Sequence, residues 1–299
     1  MRFPFRLGTL LRVISMAAFG LSSGPVANAG EIEGALSDPS RVVSIGGSLT
    51  EIVYALGEGK RLVARDQTSV YPEAALSLPD VGYMRQLSPE GVLSVDPTGI
   101  LLLEGSGPRE AIDVLKKARA DLVSVPERFD REGILAKIGV VGKALGVEAK
   151  AEALAATVED DLRAAEKLTA GIKDHKRVLF ILSMQGGKLL AAGAGTASDG
   201  IIKLAGGVNV IDSFEGYKQV SDEAVITAQP DVILMMTRGG EHSQVAEELF
   251  AHPAIAPTRA GKAKALIRMD GAYLLGFGPR TASAARDLAK ALYGDQVTD

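Results

Sequence analysis

Tyr71 is the residue whose type and position most favour chemistry. It stands in the segment Asp66-Gln67-Thr68-Ser69-Val70-Tyr71-Pro72, between a predicted strand and a predicted helix, where open α/β sheets bind ligands. Pro72 suits the first helical position and holds Tyr71 extended, so the phenol can project into a cleft. A phenol has a pKa of about 10 and becomes a ligand at neutral pH where ferric iron or a nearby arginine favours the phenolate. Alternatively, Tyr71 closes the loop with its hydroxyl bonded to the backbone.

An arginine stands at the end of a later predicted strand. Thr237-Arg238-Gly239-Gly240 follows the apolar run 232–236, just as Glu104-Gly105 follows the run 100–103. Because ligands bind at the carboxyl ends of parallel strands, we expect Arg238 to face the same cleft as Tyr71. Its guanidinium could donate hydrogen bonds to a carboxylate or a phenolate. The alternative is a surface arginine on a loop.

Composition and missing motifs exclude several classes of function. The chain has 299 residues, of which 46% are hydrophobic and 23% charged, as in an ordinary globular protein. It has no cysteine, which excludes disulfide scaffolds and cysteine nucleophiles, and its histidines (His175, His242 and His252) lack metal-binding spacing. The net charge of −4, with no basic run among aromatics, argues against nucleic-acid binding. No nucleophile elbow or complete phosphate loop is present, so we expect no enzyme.

Residues 1–29 have the layout of a secretory signal peptide. Arg2, Arg6 and Arg12 give a positive start, an apolar stretch follows, and Ala27-Asn28-Ala29 supplies a small-residue cleavage site. The apolar stretch is too short to span a bilayer stably, and a buried N-terminal helix is the alternative. Cleavage would remove the three arginines and no acid, which changes the net charge from −4 to −7. We therefore expect an exported, soluble protein.

The remaining chain alternates strand and helix patterns in two blocks. This alternation predicts an α/β fold of two Rossmann-like lobes, each with a central, mostly parallel sheet, and a ligand cleft between them. From Arg131 to about Ala170 proline and strand runs vanish, which indicates one long α-helix, or two in sequence, joining the lobes. We expect an N-terminal lobe at 30–130, a connecting helix at 131–171 and a C-terminal lobe at 172–299. The predicted strands are 41–46, 61–65, 100–103, 122–125, 177–182 and 232–236; the predicted helices are 48–56, 89–95, 109–117, 198–205, 221–228 and 282–292.

An internal repeat supports two related lobes. The segments 87–97 and 220–230 each contain a serine N-cap, an acid in the first turn, a short helix and a proline, and each leads into an apolar strand. The two copies are 133 residues apart, so Glu90 and Glu223 are equivalent positions. Each acid could simply complement a helix dipole. Alternatively, the two acids form salt bridges with a partner that itself has two equivalent halves, such as a dimeric transporter.

Several segments resemble the periplasmic haem-binding proteins of bacterial haem ABC importers. The likeness is carried by 41–51, by Ser69-Val70-Tyr71-Pro72, by 78–83 and 87–90, by 235–239 and by 276–281. These proteins belong to the substrate-binding proteins with a rigid helical connector, which also carry siderophores and vitamin B12. The resemblance covers nearly the whole chain beyond residue 29.

This resemblance implies a role for each candidate residue. Tyr71 would be the axial ligand of ferric haem b, the transported ligand, and Arg238 would hydrogen-bond the tyrosinate or a propionate. Arg85 and Tyr273 complete the expected haem-binding set. Met184, in a 183–187 loop without histidine, would line the open face, although ferric iron prefers harder ligands than a thioether.

Partners and location follow from the same resemblance. Glu90 and Glu223 would dock on arginines of an inner-membrane ABC permease dimer, which works with its ATPase. We expect a periplasmic monomer that binds no nucleic acid, and the absence of a lipoprotein cysteine argues against a cell-surface anchor.

Two other classes stay open. A ferric siderophore or cobalamin could occupy the same fold, in which case no haem absorption band would appear. A secreted α/β enzyme would need a converging acid–base pair in the cleft, and the sequence provides no such pair.

Overall fold

The computed structural model describes residues 34–237 and 243–297, and the account below refers to these residues. The expected signal peptide at 1–29 and Arg238 lie outside them. The first lobe is a four-stranded sheet in the order β2-β1-β3-β4, with every pair parallel. Two 3-10 turns, Gly59–Arg61 and Glu73–Ser77, flank β2. Its elements are β1 (Val42–Ile45), α1 (Gly47–Ala55), β2 (Leu62–Arg65), α2 (Pro89–Leu93), β3 (Gly99–Leu103), α3 (Arg109–Leu115) and β4 (Asp121–Val125).

Two helices, rather than a single long one, connect the lobes. They are α4 (Arg131–Leu145) and α5 (Glu148–Thr169), which pack side by side. Asp130 caps the start of α4 by accepting a hydrogen bond from the Gly133 amide at 2.6 Å. Gly146 ends the helix in the left-handed conformation (φ 65°), which glycine adopts without steric cost. The chain therefore reverses at 146–147, and α5 carries it into the second lobe.

The second lobe is a six-stranded mixed sheet with the path β10-β9-β5-β6-β8, in which β7 also pairs with β5. The β5–β6 and β6–β8 pairs are antiparallel and the others are parallel. A 3-10 turn at Gly294–Gln296 follows the last helix. The elements are β5 (Arg177–Gln185), β6 (Lys188–Ala192), α6 (Ala197–Leu204), β7 (Val208–Asn209), β8 (Tyr217–Val220), α7 (Asp222–Ala228), β9 (Val232–Thr237), α8 (Ser243–Ala251), α9 (Arg259–Ala263), β10 (Leu266–Asp270), α10 (Gly271–Leu275) and α11 (Thr281–Tyr293).

The internal repeat is visible in the strand register. In the first lobe Val42 pairs with Gly99, and in the second lobe the equivalent Val178 pairs with Val232. The helix and strand that follow the repeated serine N-cap are α2 and β3 in one lobe and α7 and β9 in the other. The prediction of two related α/β lobes is confirmed.

The segment 183–187, predicted as a loop, is part of a β-hairpin. Strand β5 runs to Gln185, and the chain turns at Gly186-Gly187 before it enters β6.

The lobes share one apolar core and a buried charge. The main cluster of buried side chains runs from the first sheet through α4 and α5 to α11. Phe129 and Phe277 meet edge to face across the lobes, with ring centroids 5.2 Å apart.

Lys137 of α4 is fully buried, and its Nζ donates to Glu127 Oε1 at 2.5 Å and to the Phe277 carbonyl at 3.1 Å. Burial lowers the pKa of Lys137 and raises that of Glu127, while their mutual attraction opposes both effects.

We predict that Lys137→Met destabilises the protein strongly and that adding Glu127→Gln reverses much of the loss. Removing the ammonium alone leaves the largely buried Glu127 carboxylate without its partner, at a cost of about 3–5 kcal/mol, and the second change removes that charge. Urea unfolding followed by circular dichroism measures the free energies. A double variant as unstable as Lys137→Met would contradict this account of the pair.

Candidate ligand-binding site

A buried carboxylate fixes the loop that carries Tyr71. Asp66 follows β2 and is fully buried. Its Oδ1 accepts from the Gly46 amide at 3.0 Å and from the Ser69 hydroxyl at 2.8 Å, and its Oδ2 accepts from the Thr68 amide at 3.0 Å. These bonds tie loop 66–71 to the carboxyl end of β1. Thr50 of α1 adds a further hydroxyl contact to Ser69 at 2.7 Å.

The backbone of loop 66–71 also packs closely against the start of α1. A side chain on Gly47 would place its Cβ 2.5 Å from the Thr68 carbonyl oxygen, which is too close for any other residue. The Gly47 amide instead donates to the Thr68 hydroxyl at 2.9 Å. The glycine therefore allows the loop to lie directly on the helix N-terminus, and Tyr71 leaves the loop from a fixed base.

The Tyr71 side chain is 44% exposed at the carboxyl edge of the first sheet. Within the described residues its hydroxyl has no hydrogen-bond partner, so it is not tied to the backbone as the alternative interpretation required. The helix expected after it is the 3-10 turn Glu73–Ser77, with Pro72 as the residue before its first position. The phenol oxygen is thus free to bind a ligand.

Arg280 of the second lobe lies on the Tyr71 ring. Its guanidinium carbon is 3.5 Å from the ring centroid, a cation–π contact. Both oxygens of Glu51, in α1 of the first lobe, hold the arginine: the Arg280 amide donates to Oε1 and Nε donates to Oε2, each at 2.9 Å. Glu51 is 8% exposed, so this ion pair across the lobes is largely shielded from water.

Tyr273 also lies near the same arginine. The guanidinium carbon of Arg280 is 5.3 Å from its ring centroid, so Arg280 joins the predicted site residues Tyr71 and Tyr273. The Tyr273 hydroxyl donates to Asp287 Oδ2 at 2.9 Å. Burial, aided by this hydrogen bond and the carboxylate charge, raises the pKa of Tyr273 to about 12. Its phenol oxygen is therefore engaged, unlike that of Tyr71.

The structure shows no contact between Tyr71 and the other predicted haem-site residues that it describes, Arg85 and Met184. Arg85 is exposed and unpaired within the described residues, in a loop whose neighbour Gly82 accepts from the Gln67 amide at 2.9 Å. Arg85 therefore belongs to the same edge as Tyr71. Met184 is half-buried near the end of β5 and packs against the apolar cluster on one face of the second sheet. Arg238 directly follows β9 and lies outside the described residues.

Glu90 and Glu223 are exposed in the first turns of α2 and α7. The N-cap of each helix is a serine whose side chain accepts a backbone amide bond at 3.2 Å, Ser88 from Gly91 and Ser221 from Ala224. The Ser88 hydroxyl also donates to Glu90 at 2.8 Å and holds the pKa of that carboxyl below its usual range. The two lobes thus present the same capped acidic helix end to solvent.

Sequence reasoning did not assign roles to Glu51, Asp66 and Arg280. Arg280 stands in the 276–281 segment that carries part of the family resemblance, so a signal was present but gave no partner. Glu51 lies 229 positions from Arg280, and no local pattern links them. Asp66 begins the segment singled out for Tyr71, and a buried loop aspartate that accepts several bonds is a recognisable turn residue.

The geometry favours a hard oxygen ligand beside a fixed cation. Within residues 34–237 and 243–297 no group of histidine, cysteine and acidic side chains could hold a metal ion. Among the helices in that part of the chain, none is both long and apolar enough to cross a membrane. The described site therefore offers a phenol oxygen as its candidate iron ligand and a guanidinium for an anionic group.

Comparison with known proteins assigns the fold to a family. A sequence profile described as periplasmic binding protein matches residues 42–273. The periplasmic heme-binding protein RhuT from Roseiflexus sp. RS-1, solved in apo form, is 38% identical with a TM-score of 0.81, and the match covers 86% of this chain and 99% of RhuT. A periplasmic heme-binding protein from Pseudomonas aeruginosa is 34% identical with a TM-score of 0.78, over 86% of this chain and 93% of its own.

A relative with a different ligand is also similar. The vitamin B12-binding protein of Yersinia pestis (strain Pestoides F) is 29% identical over 207 residues, which is 69% of this chain and 71% of the relative. Relatives of this chain therefore include proteins named for different tetrapyrroles.

We predict that Tyr273 stays protonated in the folded protein at pH values where an unfolded tyrosine, with a pKa of about 10, has ionised. A raised pKa stabilises the folded state below about pH 10, and this contribution disappears as the pH rises through about 12. Difference absorbance of the phenolate band during alkaline titration measures the ionisation. Tyr273→Phe should remove a late-titrating phenol, and Asp287→Asn should let Tyr273 titrate earlier. Burial also raises the pKa of Tyr293, so one late-titrating phenol should remain in Tyr273→Phe. Loss of an early-titrating phenol in Tyr273→Phe would contradict the assignment.

Proposed function

The chain belongs to the periplasmic binding protein family, and from this membership we propose that it captures ferric haem b between its lobes and delivers it to an inner-membrane ABC permease. The observation that carries the proposal is Tyr71, a 44% exposed residue whose phenol oxygen is unbonded within the described residues and whose ring lies against a second-lobe arginine. Substrate-binding proteins of this kind serve transport, so the site holds and releases its ligand without changing it.

The chemistry of Tyr71 suits ferric haem. A phenolate is a hard anionic oxygen donor, which binds Fe(III) in preference to Fe(II) and also serves as a haem ligand elsewhere. The Arg280 guanidinium over the Tyr71 ring places a cation beside the candidate ligand. The exposed side chain of Val70 beside it offers apolar surface to a porphyrin. These features together make Tyr71 the iron ligand in the proposed complex.

The other predicted residues fill secondary roles in this proposal. Arg238 would hydrogen-bond the tyrosinate or a propionate, and Arg85 would supply a cation at the first-lobe edge. Met184 and Tyr273 would contribute surface rather than iron ligands, because ferric iron disfavours a thioether and the Tyr273 phenol is bonded to Asp287. The protein would act as a monomer in the periplasm, exported by residues 1–29.

Cobalamin or a ferric siderophore is the second candidate ligand. The 29% identity with a vitamin B12-binding protein keeps cobalamin in consideration. The similarity to the two haem-binding proteins is higher, at 34% and 38%, and extends over a larger share of the chain. Haem is therefore the ligand we favour.

We predict that Tyr71→Phe weakens ferric haem binding by at least about tenfold, because the iron loses its anionic ligand while the cleft surface is kept. Titration by absorbance measures affinity, and the tyrosinate-to-iron charge-transfer band reports the ligand itself. Tyr54→Phe is the matched control, since Tyr54 is a first-lobe tyrosine of α1 that packs against the apolar core, and this variant should bind haem as the wild type does. An unchanged spectrum in Tyr71→Phe would exclude Tyr71 as the ligand. A wild type without a Soret-band change would favour the second candidate.

We predict that Glu90→Lys and Glu223→Lys together abolish delivery while haem affinity stays within about twofold of the wild type. The two acids occupy equivalent places in the two lobes, so reversing both charges should repel a twofold-symmetric basic receptor surface. Haem uptake into proteoliposomes that contain the permease and its ATPase measures delivery. Glu152→Lys together with Asp160→Lys, at two exposed acids of α5, is the charge-matched control. Normal uptake by the double variant would show that docking uses another surface.

A further inference from the structure

Arg280 is held at the cleft by contacts that leave part of its guanidinium unused. It follows a loop that reaches under the first lobe, where the Phe277 carbonyl accepts from Lys137 and the Phe277 ring packs on Phe129. The backbone amide and Nε of Arg280 both bind Glu51. The side chain is therefore positioned before any ligand arrives.

The two terminal amino groups of Arg280 have no hydrogen-bond partner within the described residues. A guanidinium carries its donors in a planar fork, and the Glu51 contact engages only the Nε edge of that fork. The side chain is 27% exposed, so a ligand can reach part of it. A carboxylate is the group that matches two adjacent N–H donors of arginine.

Glu51 also holds the Arg280 side chain in place. The two residues form an ion pair across the lobes, and the neighbouring Lys137 forms one with Glu127. Without the Glu51 contact the long side chain would be free to swing away from Tyr71, and ordering it would then reduce affinity. Glu51 is thus a positioning residue that acts through Arg280.

We infer that Arg280 is a carboxylate-binding residue of the ligand site, supplied by the second lobe and positioned by Glu51 of the first. This inference rests on the proposed function in taking the ligand to be a tetrapyrrole that carries carboxylate groups. The terminal amino groups of Arg280 bind one such carboxylate, while Tyr71 beneath the same guanidinium binds the metal. Ligand recognition then requires groups from both lobes.

The test separates the carboxylate from the iron. Wild type and Arg280→Gln are titrated with metal-free protoporphyrin and with its dimethyl ester, and bound porphyrin is followed by fluorescence. We expect Arg280→Gln to weaken protoporphyrin binding by about tenfold and ester binding by no more than about twofold, because only the free acid has a charge to lose. Arg280→Lys should recover part of the loss. Arg163→Gln, which removes an exposed, ion-paired arginine of α5, is the charge-matched control.

Glu51→Gln tests the positioning role of Glu51. If Glu51 served only the stability of the fold, its substitution would not change the preference for the free acid over the ester. It should reduce discrimination between the acid and the ester in the same direction as Arg280→Gln, and circular dichroism should show that the variants remain folded. Equal losses for acid and ester, or no loss for either, would overturn the inference. Because protoporphyrin has no iron, this result does not depend on Tyr71. If Tyr71→Phe binds ferric haem normally, the assignment of Tyr71 as the iron ligand fails. The porphyrin titrations still decide whether Arg280 binds a carboxylate. A wild type that binds ferric haem but no metal-free protoporphyrin overturns the inference about Arg280 alone.

Discussion

The contact between Arg280 and Tyr71 is the constraint on which the rest of the site depends. A 3.5 Å separation between a guanidinium and a ring from different lobes is possible only when both are fixed to their own lobe and the lobes are fixed to each other. Asp66 fixes the Tyr71 loop, Glu51 fixes the arginine, and Lys137 ties the connector to the second-lobe loop. Each of these anchors is a buried charge with partners, an arrangement that is costly to break and therefore rigid.

The two related lobes form an outer surface on which they are alike and a cleft in which they differ. On the outside the repeat is preserved, since α2 and α7 present equivalent capped acids, and strands β1 and β3 pair in the same register as β5 and β9. In the cleft the two lobes contribute different residues. The first lobe contributes a phenol from the loop after β2, whereas the second contributes an arginine from the loop before α11. A symmetric partner can use the first surface, and a ligand with a metal and carboxylates at different places needs the second.

Local sequence patterns predict the repeated framework well, because its strands are continuous apolar runs and its helices begin at serine caps or end at glycine. The family resemblance carried by those segments is confirmed by the profile match and the haem-binding structures. The patterns miss β8 and β10, where side chains are half-exposed and the apolar signal is weaker. They also miss β6, a short strand whose Leu189, Ala191 and Ala192 are buried. They also cannot pair Glu51 with Arg280, since residues 229 positions apart meet only through the folded topology. Tyr71 can be proposed as a ligand from local features, its Pro72 neighbour and its strand-end position, whereas no local feature predicts the arginine on its ring.

Electrostatics explain why the cation in this cleft is an arginine. The chain carries a net charge of −4, so its overall field does not attract a carboxylate-bearing ligand, and salt screens such fields beyond about 10 Å. Attraction must come from a local cation that is already in place. A lysine held by Glu51 would direct its single ammonium at that acid, but a guanidinium can bind Glu51 through Nε and keep its outer edge for a ligand. One side chain can thereby join the lobes and still offer charge to the cleft.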